Sequence, residues 1–294
     1  MDKFHVRWLW IATHKLTAAA IVIALILGFC AGYLLHPLIT PPPPKGKTLW
    51  EAIKERGYIV VATSPDWPPF EYIDPKTKKL VGYEIELMEV IAERLGIRVE
   101  WKTMDFDAII PAVKAGEVDL GVSGFSVTPE RMKEVLFTMP HIVTQAQLIM
   151  LKARAEELGI TRLKSLEEIA RYGLVVGTGS GTTQEAELLD LVKRGVISSD
   201  QVKSYRTFDL ALEDLKAGRI DAVYAETPVT TWWISTEKVP MVVVYSRSYW
   251  PVAFIAPKHA TVLVEKINAV LTELFATGEI DKIRAKWNVT ATGF

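Results

Sequence analysis

The chain has 294 residues, 34 basic against 35 acidic, a net charge of −1 and an apolar fraction of 49%. That length has room for two domains with cores of their own, and a charge balance without basic excess excludes an electrostatic nucleic-acid surface. Cys30 is the only cysteine, which excludes an intramolecular disulfide, a CxxC site and a zinc ribbon, and His5, His14, His36, His141 and His259 lack metal-ligand spacing, so neither metal nor cofactor is expected.

Residues 16–35 contain no charge, and at about 1.5 Å per helical residue they span the roughly 30 Å hydrocarbon layer. Lys3, Arg7 and Lys15 precede the run, with Trp8 and Trp10 as interfacial aromatics. Basic flanks stay cytoplasmic, so residues 1–15 face inward and everything after residue 35 lies outside. A cleaved signal peptide is the second reading, although its apolar core is usually about 7–15 residues and no convincing A-x-A precedes Pro37. A lipid on Cys30 is the third, with bulky Phe29 a poor neighbour. Residues 36–47 form a linker whose Pro41–Pro44 run favours an extended polyproline II spacer.

The head begins at Thr48, which caps a helix over 49–56 that stops at Gly57. Residues 58–63 read as a buried strand and 64–71 as a Pro-rich loop holding Trp67 and Phe70. A helix over 84–95, a strand over 97–101, a helix over 107–115 and a strand over 118–122 follow, then a helix from Pro129. A strand over 142–151 leads out of this unit. The second unit repeats the alternation: strand 173–177, helix 183–193, strand 202–205, helix 210–216 and strand 220–224. Strands over 241–245 and 252–256 and helices over 262–275 and 279–287 close the chain. Strands alternating with helices predict two lobes with largely parallel sheets.

Two segments echo each other: Lys114-Ala115-Gly116-Glu117-Val118-Asp119-Leu120 and Lys216-Ala217-Gly218-Arg219-Ile220-Asp221-Ala222. Each reads as a helix end, a glycine stop and a buried strand, and each runs on to a Thr-Pro helix start, Thr128-Pro129 and Thr227-Pro228. Two such units place their strand ends across a cleft, where ligands sit. One strand end leads to Arg131, at the third helical position after Thr128. That arginine is either a solvated surface residue or, with nearby backbone N–H groups, a grip on a carboxylate through its planar fork. The other leads to Glu226, either a helix cap or the partner of an ammonium group. Gly177-Thr178-Gly179-Ser180-Gly181-Thr182-Thr183 is either a tight turn capped by Thr182 or a nest for an anion; it lacks the lysine of a Walker loop. Trp67 and Phe106 lie on strand-to-helix loops, as core aromatics or as rings stacked on a ligand. Trp232-Trp233 reads as lobe packing.

With these motifs in place the chain resembles the family-3 extracytoplasmic solute-binding proteins, the polar amino-acid receptors of ABC transporters. The likeness spans residues 48–287. It rests on Trp67-Pro68-Pro69-Phe70-Glu71, Gly82-Tyr83-Glu84, the stretch 121–131, Phe137-Thr138-Met139-Pro140, Ser180-Gly181-Thr182-Thr183-Gln184-Glu185 and the stretch 218–226. The resemblance implies an α/β, two-lobed, type II periplasmic-binding-protein fold with a cleft between lobes, preceded by the single transmembrane helix. Lobe 1 would be 48–141 plus 252–294, and lobe 2 would be 142–251. By motif position, Arg131 binds the ligand carboxylate with Ser126 and the backbone near Gly124, and Thr182 and Thr183 complete that site. Glu226 takes the α-ammonium, and Trp67 and Phe106 stack on the ligand side chain.

The family's Gly-Phe-Asp is Gly82-Tyr83-Glu84 here, and its Pro-Tyr is Pro140-His141. Ser64, Ser123, Gly179 and Ala225 place no counter-charge beside the anchors, which points to a polar uncharged or bulky neutral amino acid, while Asp66 and Glu71 leave a cationic one open. The implied function is a non-enzymatic receptor on the outer face of the cell membrane that delivers a free amino acid to separate ABC permease and ATPase chains by lobe closure. The rivals are a cyclohexadienyl-dehydratase-like enzyme using Glu84 or Glu226 as proton carrier, and a ligand-sensing input on the same fold.

Overall fold

The computed structural model describes residues 46–289, without the side chains of residues 248 and 249. The basic segment 1–15, the apolar run 16–35 and nearly all of the linker lie outside the described residues. Among the described residues no helix is long and apolar enough to cross a membrane.

Helix Leu49–Arg56 opens the head through a capping box: Glu51 N–H donates to Thr48 Oγ1 at 3.2 Å and Thr48 N–H to the Glu51 carboxylate at 2.7 Å. Strand β1 (Tyr58–Thr63) follows at the bounds of the apolar run. The Pro-rich stretch expected as loop folds into a small antiparallel sheet of β2 (Asp66–Trp67), β3 (Glu71–Ile73) and β4 (Leu80–Val81). Helix Tyr83–Leu95, β5 (Arg98–Thr103), helix Phe106–Ala115, β6 (Leu120–Gly121), helix Pro129–Glu134 and β7 (Leu136–Phe137) complete the first pass. Only two residues of the predicted strand 118–122 form β6. Asp119 and Val122 still donate to Val60 and Ala62 carbonyls of β1 at 2.9 Å each, which extends the pairing on both sides.

β8 (Ile142–Leu151), β9 (Val176–Gly179), β10 (Val202–Tyr205), β11 (Ala222–Glu226) and β12 (Met241–Val252) build a second sheet, and β13 (Ile255–Ala256) returns to the first. The orders are β5-β1-β6-β13-β7 and β10-β9-β11-β8-β12. Both sheets are mixed rather than largely parallel. β1 runs parallel to β5 and β6, and β9 parallel to β10 and β11, while β13 opposes β6 and β7, and β8 opposes β11 and β12. The chain passes between the two lobes twice, into β8 and out of β12, and strands that leave and return at one end must run against each other.

Period-two alternation splits β1 between two cores. Ile59 and Val61 join Leu87, Met88, Ile91, Leu263, Ile267 and Leu271 from helices Tyr83–Leu95 and Thr261–Ala276, whereas Ala62 joins Ile109 and Val113 of helix Phe106–Ala115. Each such side chain, once fully buried, contributes about 1.5–3 kcal/mol. The two cores fix the carboxyl ends of the parallel strands, where the chain turns toward the gap between the sheets.

Candidate functional site

Residues just past the carboxyl ends of β1, β6 and β9, together with the last residue of β11, line one cavity, at the strand ends where α/β folds take their ligands. All eight residues singled out in the sequence, Trp67, Phe106, Gly124, Ser126, Arg131, Thr182, Thr183 and Glu226, lie in its wall.

Arg131 is placed by its helix start. Pro129 takes the first helical position, and Arg131 N–H donates to Thr128 Oγ1 at 3.2 Å. The side chain is only 8% exposed, so it is not a solvated surface arginine. Nη1 donates to the Ser126 carbonyl at 3.1 Å and Nη2 to the Gly181 carbonyl at 3.0 Å, leaving the rest of its five N–H donors. Cζ lies 5.5 Å from the ring centres of Phe106 and Phe125, which stack on each other at 4.8 Å. Burial lowers the guanidinium to about 10, partly offset by Glu226, so it stays cationic at neutral pH.

Glu226 ends β11 but makes no cap bond to the helix Thr227–Thr236 that follows. Its carboxylate turns inward and accepts from Ser126 Oγ at 2.9 Å, Gln184 Nε2 at 3.1 Å and Thr144 Oγ1. Burial raises its carboxyl above the ordinary range, while the three donors and then Arg131 pull it back. Thr182 does cap helix Thr183–Lys193, accepting from Glu185 N–H at 3.1 Å, and it lines the cavity as well. The glycine-rich turn is thus capped by Thr182, the first of its two readings.

Trp67 lies flat against Gly124. A Cβ there would sit 1.9 Å from the indole Cζ3, and φ is +58°, so neither space nor backbone admits another residue. Gly124 N–H donates to Glu84 Oε2 at 2.8 Å behind this floor. The lobes are closed on the cavity by contacts from both sides. Ser180 Oγ donates to Asp107 at 2.9 Å, Arg206 meets Asp105 at 2.7 Å, and Phe208 N–H donates to Asp66 at 2.8 Å.

The two acidic residues that left a cationic ligand open in the sequence, Asp66 and Glu71, both line the cavity. Asp66 is occupied by the Ser64 hydroxyl at 2.6 Å and by Phe208 N–H. Glu71 is fully buried; Oε1 accepts from Ser123 Oγ at 3.0 Å, and Oε2 has no donor among the described residues. Burial pushes the Glu71 carboxyl well above the usual range, and the neighbouring charge of Glu84 adds to the shift. Sequence reasoning gave no role to Thr144, Gln184, Arg206 or Phe208. Thr144 lies inside a mostly apolar strand, and Arg206 and Phe208 precede the predicted helix start, so only the fold brings them here.

Residues 59–290 match the model of the bacterial extracellular solute-binding proteins, family 3. The chain is 30% identical over 232 residues to the arginine-binding extracellular protein ArtP of Bacillus subtilis, covering 78% of this chain and 85% of that one. Among solved structures, an ancestral arginine-binding protein bound to arginine is 34% identical, with a TM-score of 0.71 over 79% of this chain and 98% of its own. An ancestral arginine-binding protein bound to glutamine has the same identity and TM-score. The P235GK mutant of ArgBP from T. maritima is 31% identical, with a TM-score of 0.73 over 82% and 99%. A model match across most of the chain, on this two-lobed α/β architecture, makes the chain a member of the family-3 bacterial extracellular solute-binding proteins.

Proposed function

We propose that the head is the amino-acid receptor of an ABC importer, that its ligand has a cationic side chain, and that arginine fits best. The observation that carries this is the three-point charge pattern in one closed cavity. Arg131 faces an α-carboxylate, Glu226 an α-ammonium, and the acidic residues Asp66 and Glu71 of the wall a cationic side chain packed on Trp67 and Phe106. Ser126, Gly124, Thr182 and Thr183 supply the small polar wall around the carboxylate. Relatives named for arginine support the same choice. The lobe division at 48–141 plus 252–294 and 142–251 is supported by sheet membership, since β8 to β12 form one sheet and β13 rejoins the other.

A binding role without chemistry is supported by the state of the two carboxyls a dehydratase could use. Glu84 is fully buried behind Gly124, and Glu226 is spanned by three donors. We further propose that residues 16–35 hold the head at the outer membrane face, with permease and ATPase as separate partners. Retention of the full-length mass in washed membranes checks the anchor.

A thermal-shift screen of the purified full chain in detergent against the twenty amino acids tests the receptor reading. Arginine should give the largest rise in Tm, because a ligand bound only by the folded state stabilises it by mass action. No shift with any amino acid, or phenylpyruvate released from prephenate, would overturn it.

A further inference from the structure

Between β10 and helix Phe208–Lys216 the second lobe offers a short segment, Arg206 to Phe208, that the first lobe holds from across the cleft. Asp66 of β2 accepts from Phe208 N–H at 2.8 Å, and Asp105 meets Arg206 at 2.7 Å. Phe208 N–H is the first donor of its helix, one of the four that a helix cannot satisfy internally. The helix's own N-cap residue, Thr207, makes no side-chain cap bond among the described residues, so the carboxylate that meets this end comes from the other lobe. We propose that Asp66 is an interlobe latch: it caps helix Phe208–Lys216 only when the lobes are closed, and so sets how firmly any ligand is retained.

Three features give this bond its weight. It is buried: Asp66 and Phe208 are each 8% exposed, whereas the side chains of Arg206 and Asp105 are 64% and 41% exposed, a pair worth little in water. It is aimed: Ser64 Oγ donates to Asp66 Oδ1 at 2.6 Å and leaves Oδ2 to Phe208. A carboxylate oxygen at a helix N-terminus gains from the helix dipole as well as from the charge-assisted hydrogen bond. It is also independent of the ligand anchors. Ser126 to Glu226 and Arg131 to the Gly181 carbonyl cross the cleft too, but the latch uses none of these groups. The Phe208 ring packs on Gly179, where a Cβ would come 2.9 Å from Cε2, and both residues line the cavity with Asp66. The latch therefore closes against the wall that the ligand touches. Asp66 lends its charge to a cationic side chain but its bonds to closure. Opening the lobes parts Asp66 from Phe208 and returns both to water, so the bond favours the closed state alone.

This inference rests on the receptor reading, and the two fail separately. L-arginine binding and release are measured by calorimetry and stopped flow on the full chain in detergent, as parent, Asp66→Ala and Asp66→Asn. Asp66→Ala should weaken arginine about 3- to 30-fold, the size of a lost helix cap, chiefly through faster release. Asp66→Asn drops the charge but keeps an oxygen for Phe208 N–H, with its amide NH2 turned to the Ser64 hydroxyl, and should recover most of that loss. Equal losses in the two variants would make Asp66 a counter-charge to the ligand and overturn the latch, as would unchanged affinity in Asp66→Ala. A second readout needs no ligand. Spin labels at the exposed positions Glu117→Cys in one lobe and Lys203→Cys in the other, with Cys30→Ser, report the distance between lobes. Adding Asp66→Ala should shift the distances of the ligand-free chain to longer values, and a distribution identical to the parent's overturns the latch. A parent that binds neither arginine nor any other amino acid overturns the receptor reading, while the interlobe distances still decide on the latch.

Discussion

Two buried carboxylates share the wall of one cavity and are treated in opposite ways. Glu226 is surrounded by donors from three different elements, Ser126, Thr144 and Gln184, with the Arg131 charge nearby. Glu71 has one hydroxyl donor, and its remaining polar neighbours are two further carboxyls, Glu84 and Asp66. Burial raises both, but only at Glu226 do most of the surroundings oppose the rise. A buried charge persists where donors are built around it, and it stays protonated where they are not. One carboxylate is thus held by donors from three elements, whereas the other is held by a single hydroxyl.

The strongest way to break the comparison is to remove the cation beside Glu226. Arg131→Ala should weaken arginine and glutamine alike by about 2–4 kcal/mol, because each ligand carboxylate loses its partner. Calorimetry that finds unchanged affinity would remove Arg131 as the anchor. Paired neutral substitutions sharpen the contrast. Glu226→Gln should cost every amino acid about 1.5–3 kcal/mol, since the ammonium is common to all of them. Glu71→Gln should cost arginine a similar amount and leave glutamine within about 0.5 kcal/mol. Equal losses for both ligands in the Glu71 variant would mean the two carboxylates play one role, not two. Smaller still is the effect expected from Gly124→Ala, which pushes Trp67 off the floor that separates the cavity from Glu84. Crowding of this kind costs about 1–3 kcal/mol of stability, read as a lower Tm. A variant as stable as the parent would show that the floor yields.

The Arg131–Glu226 axis was legible in the sequence because its signals are local. Thr128-Pro129 sets a helix start and so the position of Arg131, and a buried strand running into Thr227-Pro228 sets the place of Glu226. The echo of the two units then puts one opposite the other. The partners of Glu226 were not legible, since Thr144 sits 82 residues away in a strand of its own and only antiparallel pairing of β8 with β11 brings it near. The mixed sheets escaped for the same reason: helix and strand alternation reports neighbours along the chain, not the direction of strands that cross between lobes. Glu71 was visible as an acid beside aromatics, but its meaning depends on Glu84 and Ser123, which come from a helix and from the loop after β6. Pairwise burial of like charges has no periodicity to betray it.

That pairing leaves a signature in the ligand-free protein as well. A carboxyl whose folded value is raised above its unfolded one, about 4.3, binds more protons folded than unfolded across the interval between them. Its stabilising contribution is complete below the unfolded value and is lost as pH rises through the folded one. Glu71, held well above the ordinary range by burial and then by Glu84, should therefore make the head progressively less stable from about pH 4.3 upward. Glu71→Gln removes the titrating group while keeping the Ser123 hydrogen bond available to its amide oxygen. Tm measured against pH should fall less steeply for this variant than for the parent on the alkaline side, with the two curves closest in acid. Parallel curves would place the Glu71 proton outside the folding equilibrium and remove the distinction between the two carboxylates.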